Sequence, residues 1–351
     1  MKRSAMKYLV CACCGGDLEL FNFGNGGEES PEVMHGQIIC AKCGQRHLVI
    51  KGVPRMMLPD SLTNSQKQTG DTFTKKWQSI PKYGYDPASE AFKNRWYLER
   101  YGWTQESFDV FIGTRQMVLD AGTGLGSHVS LYAGKTSAQV FGIDIGDCVD
   151  VAYERTRELP NAHILQSDLT NQPFRRGQFD FIASDQVLHH TPNTERSFKY
   201  LVSLLAPGGE IAIYVYKKKA ALRELVDDYL RNITTRMTWD ECVEFCEQVT
   251  LLGKALTEMK TVVDIEKDIP LLDIKAGKQD VQRFVYWNVL KCFWNPDFDL
   301  KTNVMVNVDW YHPVYAWRHT PAEVEGWFRD MGLKIMFERV EESGVSVRGR
   351  K

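Results

Sequence analysis

The 351-residue chain has no apolar run near the roughly 20 residues a membrane-spanning helix needs, so no such helix is expected. It also lacks any block of five like charges. The densest basic cluster, Lys217 to Lys219 in "YKKKA", reads as a solvated loop or helix start. With 43 Lys and Arg against 45 Asp and Glu, the formal charge is −2, which disfavours nucleic acid as a partner. A secretion signal is missing too: the apolar run after "MKRSAMK" is short and meets cysteines at once. Asn232-Ile233-Thr234 therefore carries no weight as a glycosylation sequon. The nine cysteines include two tight pairs, which suits a metal in a reducing compartment better than a disulfide framework, and the cytoplasm is the expected location.

What is present begins with those pairs. Cys11-x2-Cys14 and Cys40-x2-Cys43 form two knuckles, followed by Gly15 and Gly44 where tight turns need glycine. Each knuckle aims two thiolates at one point, and two knuckles complete a tetrahedral S4 site for structural zinc. Cys13 remains open as an alternative to Cys14, with His35 and His47 as weaker candidates. Residues 1–59 are expected to form a zinc ribbon that buries too little to fold well without its metal.

Residues 60–115 begin polar and become aromatic and helical, in "AFKNRWYLERYGW" and "QESFDVFI". From Met117 short apolar runs alternate with amphipathic segments. Strands are expected at "MVLDAG", "AQVFGID", "AHILQSD", "FDFIASD" and "GEIAIYVY", with helices between them. That succession predicts a parallel, doubly wound α/β sheet over 116–216, with ligands beyond the carboxyl ends of its strands.

The stretch "VLDAGTGLGSHV" sits at the first such end. A dinucleotide fingerprint wants a third glycine where Ser127 stands, and Asp120 would be poorly placed beside a pyrophosphate. A carboxylate there suits a cationic amino-acid moiety, so the turn fits a nucleoside bearing an ammonium group: S-adenosylmethionine. Asp144 closes the second strand, where an acid can accept both ribose hydroxyls. Asp168 closes the third, within reach of an adenine amino group, with the Leu169 amide beside the ring.

Together, "LDAGTGLG", "GIDI", "QSDL" and "SDQVLHHTPN…LAPGGEIAIYVY" resemble the class I S-adenosylmethionine-dependent methyltransferases with a type 11-like core. The resemblance implies a Rossmann-like, seven-stranded sheet. It carries Asp120, Gly122, Thr123 and Gly124 to the methionyl part, Asp144 and Ile145 to the ribose, and Asp168 and Leu169 to the adenine. Ser184 and Asp185 would flank the methionyl amine. The front module resembles the small zinc-ribbon activator subunit of eukaryotic methyltransferases and the ribbons fused to bacterial ones. "QTGDTFTKKW" resembles the segment that folds over the cofactor in ribbon-bearing relatives, which makes Phe73 and Trp77 candidates for a lid over the substrate.

Methyl transfer disperses charge rather than creating it, so proximity, alignment and exclusion of water matter most. A base is needed only when the acceptor starts protonated. His189 and His190, after the fourth strand, are the candidates for base or orienting group; loop packing is the alternative. Residues 217–319 are expected to form a helical cap, and 320–351 a helix and the last, antiparallel strand pair. Cys242 and Cys246, one turn apart, read as packing residues rather than a soft-metal site. In "NVDWYHPVYAWRHT", Asp309, Tyr311, His312, Tyr315 and Arg318 either line an acceptor pocket together with Tyr216 or form a rigid strap anchoring the cap. The expected function is methylation of an O or N atom of a small molecule or glycan. An rRNA or tRNA methyltransferase and a non-catalytic scaffold are the alternatives.

Overall fold

The computed structural model describes all residues except 25–29, 59, 60, 84 and 86, and the side chains of Pro87 and Ala88. The expected 59/60 boundary and part of the Gly/Glu-rich ribbon spacer therefore lie outside the described residues. The ribbon is a four-stranded antiparallel sheet in the order β1 (Leu18–Asn22), β2 (Gly36–Cys40), β3 (Arg46–Ile50), β4 (Val53–Pro54). Three helices follow: α1 (Asn64–Ser79), α2 (Pro87–Arg100) and α3 (Gln105–Gly113). Thr63 starts α1 through a capping box with Gln66, and Thr104 starts α3 the same way with Ser107.

The central alternation runs β5 (Met117–Ala121), α4 (Ser127–Ala133), β6 (Gln139–Asp144), α5 (Val149–Thr156), β7 (Ala162–Gln166), β8 (Phe179–Asp185), α6 (Thr194–Leu204), β9 (Leu205–Tyr216). Its strands are buried along nearly their whole length because helices cover both faces. After β9 come α7 (Ala221–Thr234), α8 (Trp239–Glu258), β10 (Val262–Ile265), β11 (Gly277–Asp280), α9 (Val281–Asn288) and α10 (Leu300–Tyr311). The region expected to be wholly helical thus contains an antiparallel hairpin, β10–β11. Its four-residue strands are too short for any periodic signal. The chain closes with α11 (Pro321–Asp330), β12 (Lys334–Val340) and β13 (Gly344–Arg350).

The large sheet has seven strands in the order β12-β13-β9-β8-β5-β6-β7. β13 alone runs against its neighbours, pairing antiparallel with both β9 and β12. The connection reverses direction between β5 and β8, which opens a crevice at their carboxyl ends.

The ribbon does not stand apart. Leu9, Val33, Ile38, Val49 and Met56 share one apolar cluster with Leu119, Phe141, Ile182 and Ile213 of the large sheet. Met56 N–H donates to the Gln166 carbonyl at 2.8 Å, and Arg55 pairs with Asp150. In the cap, α8 packs on α10, and Asn307 ties the pair by donating to the Thr250 hydroxyl at 2.8 Å and the Phe293 carbonyl at 3.1 Å. Cys242 and Cys246 lie buried there, 4.0 Å apart, in the packing role expected of them. No helix among the described residues is long and apolar enough to cross a membrane.

Candidate active site

β5 ends in a turn whose Gly122, Gly124 and Gly126 all have positive φ, at 96°, 53° and 85°. A Cβ at Gly122 would lie 2.2 Å from a Val187 methyl, so the loop after β8 approaches this turn more closely than any side chain permits. Asp144 accepts from the Gly124 N–H at 2.9 Å and the Gly146 N–H at 3.0 Å. Burial pushes its pKa up, and those two bonds oppose the shift. Asp168 accepts from the Thr170 N–H and hydroxyl at 2.8 and 3.0 Å, and from the Gln66 side chain at 3.2 Å. Asp120 lies beneath the turn, 1% exposed, with one carboxylate oxygen lacking a partner and the other 3.8 Å from His128 Nδ1. A buried carboxylate oxygen left this way costs stability unless a cation or water completes it.

One cavity of about 620 Å³ joins this edge of the sheet to the cap. Gly122, Thr123 and Gly124 line its sheet end with Asp144, Ile145, Asp168, Leu169 and Asp185. α1 forms part of the cavity wall. Its Phe73 and Trp77 line the cavity, and the Trp77 indole N–H sits 3.4 Å from where a Gly124 Cβ would be.

The structure separates residues that the sequence grouped. Ser184 does not reach the cavity; its buried hydroxyl donates to the Ala121 carbonyl at 3.0 Å and pins β8 to β5. Asp185 does reach it, paired with Arg100 and accepting from the Tyr101 hydroxyl at 2.9 Å. Burial raises its pKa, but the Arg100 guanidinium and the Tyr101 hydroxyl bring it below the usual carboxylate value.

The two histidines divide in the same way. His189 is wholly buried against the Tyr216 ring, centroids 3.7 Å apart, with neither ring nitrogen hydrogen-bonded, and it lies off the cavity. His190 lines the cavity, with Nδ1 2.6 Å from the Tyr315 carbonyl. A carbonyl only accepts, so Nδ1 carries the proton and Nε2 keeps its lone pair. Burial lowers the His190 pKa to about 4, so the ring is neutral at neutral pH.

Within "NVDWYHPVYAWRHT", only Asp309 of the five expected pocket residues lines the cavity, where Tyr216 joins it. Asp309 accepts from Lys76 Nζ at 2.5 Å and the Tyr216 hydroxyl at 3.0 Å. Burial works against its ionised form, yet Lys76 and Lys291 bring its pKa down to about 2. The other four form the strap. Tyr311 donates to the Lys291 carbonyl at 2.9 Å, and His312 shares a 2.5 Å hydrogen bond with Thr72. Tyr315 stacks on Trp317, and Arg318 bonds Glu224 at 2.9 Å and also pairs with Asp228. None of the four lines the cavity, and His312 Nε2 is buried without a hydrogen-bond partner among the described residues.

Sequence reasoning missed several lining residues. Lys93, donating to Ser127 Oγ at 3.0 Å, comes from α2, far from any motif. Lys219, expected in solvent, is 8% exposed and lines the cavity. Arg223, Trp287, Lys291 and Trp310 complete that wall. The one readable signal was a lone cation amid apolar residues in "VLKCFW".

At the front of the chain the Cys11, Cys14, Cys40 and Cys43 sulfurs lie within 4.8 Å of one another, with Cys11–Cys43 at 3.7 Å and Cys14–Cys40 at 3.5 Å. A tetrahedron with bonds of about 2.3 Å places its sulfurs about 3.8 Å apart, so this donor set fits zinc. Cys13 is exposed and lies outside the cluster, which contains Cys14. His35 and His47 are not part of it; His47 meets the Arg55 carbonyl at 3.2 Å instead.

Residues 119–213 match a family model described as a methyltransferase domain. Phosphoethanolamine N-methyltransferase 2 of Caenorhabditis elegans is 31% identical over 106 residues, 29% of this chain and 24% of that protein. The chloroplastic tocopherol O-methyltransferase of Arabidopsis thaliana is 30% identical over 129 residues, 34% of this chain and 36% of that one. Methyltransferase GfsG of Streptomyces halstedii is 26% identical over 196 residues, 53% of this chain and 68% of its own. A crystal structure of magnesium protoporphyrin IX methyltransferase from Synechocystis PCC 6803 aligns with TM-score 0.44 and 13% identity, over 83% of this chain and 99% of that one. The chain spans only 24% and 36% of the first two relatives. The seven-stranded sheet is thus a mixed α/β core, and residues 119–213 within it match a methyltransferase-domain model.

Proposed function

We propose that this chain is an S-adenosylmethionine-dependent methyltransferase acting on an O or N atom of a small acceptor enclosed beneath the cap. The observation that carries this reading is the glycine turn after β5 lying in one cavity with Asp144 and Asp168, the acids at the ends of β6 and β7. S-adenosylmethionine, when bound, supplies a methyl group activated by a sulfonium. The chain's own residues do the rest. Asp144 retains acceptor capacity for ribose hydroxyls, and Asp168 with the Leu169 amide serves the adenine. Asp185 is the cavity-lining acid available to the ammonium end and Lys93 the cation available for its carboxylate, whereas Asp120 lies beneath the turn, off the cavity. Phe73 and Trp77 on α1 exclude water. His190 Nε2 accepts the acceptor's O–H or N–H and orients it, a role the buried His189 does not share. The four clustered cysteines hold structural zinc. The names of the relatives, which act on phosphoethanolamine and tocopherol, favour a small acceptor over a polymer.

Calorimetric titration with S-adenosylhomocysteine tests the reading. One site per chain is expected, and no binding to a folded, zinc-loaded sample would overturn it. His190 makes a second, pH-based prediction. Its pKa is depressed, so the neutral form persists as pH falls and is lost only on approaching pH 4. Turnover should therefore stay flat from about pH 7 to about 5.5, whereas an acid limb centred on the ordinary histidine value would contradict the assignment. His190→Ala should lower kcat roughly 100-fold with S-adenosylhomocysteine affinity unchanged.

A further inference from the structure

The cap end of the cavity is cationic to a degree that its own acids do not balance. Arg223 is 1% exposed and bonded to Asp227 at 2.7 Å. Asp309 is taken by Lys76, and Glu224 accepts from Arg318 and from the Lys219 backbone N–H. That leaves two ammonium groups. Lys219, 8% exposed, directs its ammonium, among the described residues, to the Glu342 and Ser343 carbonyls alone. The side-chain ammonium of Lys291, a residue 5% exposed, makes no hydrogen bond or ion pair among the described residues; its Nζ lies 4.9 Å from the Trp310 ring centroid. Lys219 Nζ lies 5.9 Å from the same ring and 5.5 Å from that of Trp287. Lys219, Lys291, Arg223, Asp309, Trp287 and Trp310 line the same cavity.

An ammonium removed from water without a counter-anion is costly, and a second beside it makes the cost greater. Burial and neighbouring cations push the Lys219 pKa well down, and burial brings Lys291 to about 8 despite the pull of Asp309. The aromatic walls offer only partial compensation. What the pair lacks is an oxyanion. The flat indole faces of Trp287 and Trp310 beside it suit a planar apolar body.

We infer that the methyl acceptor carries an oxyanion, a carboxylate or phosphate, on a flat apolar body, and that Lys291 and Lys219 hold that anion at the cap end of the cavity. This rests on the methyltransferase reading of the same chamber. The anion is the anchor, and the nucleophilic atom lies toward His190 and Asp309.

The test uses the zinc-loaded full chain saturated with S-adenosylhomocysteine and titrated with benzoate, phenyl phosphate and neutral benzamide. At least one anion should bind at least tenfold more tightly than benzamide, and the stronger of the two identifies the oxyanion. Lys291→Met should lose that preference at least tenfold while raising the melting temperature of the ligand-free protein, because an uncompensated buried charge has been removed. Lys291→Arg should restore the preference. Equal affinity for benzamide, no binding by either anion, or an unchanged preference in Lys291→Met would each overturn the inference. Its failure is separable from failure of the methyltransferase reading, because S-adenosylhomocysteine binding is measured first and does not depend on Lys291.

Discussion

Asp144→Ala is expected to weaken S-adenosylhomocysteine binding by about two orders of magnitude. A carboxylate that accepts two ribose hydroxyls contributes about 1.5 kcal/mol or more through each bond, so losing both costs at least about 3 kcal/mol. The substitution also orphans the Gly124 and Gly146 N–H groups that shape the glycine turn and the loop after β6. Asp144→Asn separates the two effects, because it keeps an acceptor for the turn while losing the charge, and it should fall between wild type and alanine. Calorimetry on proteins with unchanged melting temperature and zinc content reads the result. Wild-type affinity in Asp144→Ala would remove the ribose assignment and with it most of the donor-site reading.

Zinc removal is the second large effect. Structural zinc contributes about 10–16 kcal/mol in finger peptides, as much as or more than the 5–15 kcal/mol that typically holds a whole domain together. Cys40→Ala, or extraction with a strong chelator, should therefore unfold the ribbon. The consequence should reach the cavity. Arg55 at the end of the ribbon donates to the Gln166 side chain at 3.2 Å, and Gln166 in turn donates to the Ile145 carbonyl at 3.0 Å, beside Asp144. Weaker S-adenosylhomocysteine binding should follow, by about tenfold if one charge-assisted contact of this kind is lost. Metal analysis should find one zinc per chain in wild type and in Cys13→Ser, whose thiol lies outside the cluster. A metal-free protein with an intact ribbon would refute the S4 assignment.

The parts that were legible share a cause: each is signalled by residues close in sequence. Two CxxC knuckles, three acids closing apolar runs and a glycine turn after the first of them all declare themselves within a dozen residues. The β10–β11 hairpin lacked such a signal, because each strand has only four residues. The role of α1 was half readable: its aromatic pair was singled out, but its Gln66 contact to Asp168 spans 102 positions of chain.

What the sequence determined alone was therefore the alternating core, the glycine turn with its strand-end acids, and the paired CxxC knuckles. Only the tertiary structure decided the rest. It chose His190 over His189, because one ring turns to the cavity and the other packs beneath Tyr216. It kept Tyr311, His312, Tyr315 and Arg318 off the cavity wall, which favours the strap of the two alternatives. It also brought Lys219 and Lys291 from separate segments to one tryptophan face. The physical reason is that charge and hydrogen-bonding capacity belong to a residue, whereas burial, and the partners left over after folding, belong to the assembled chain.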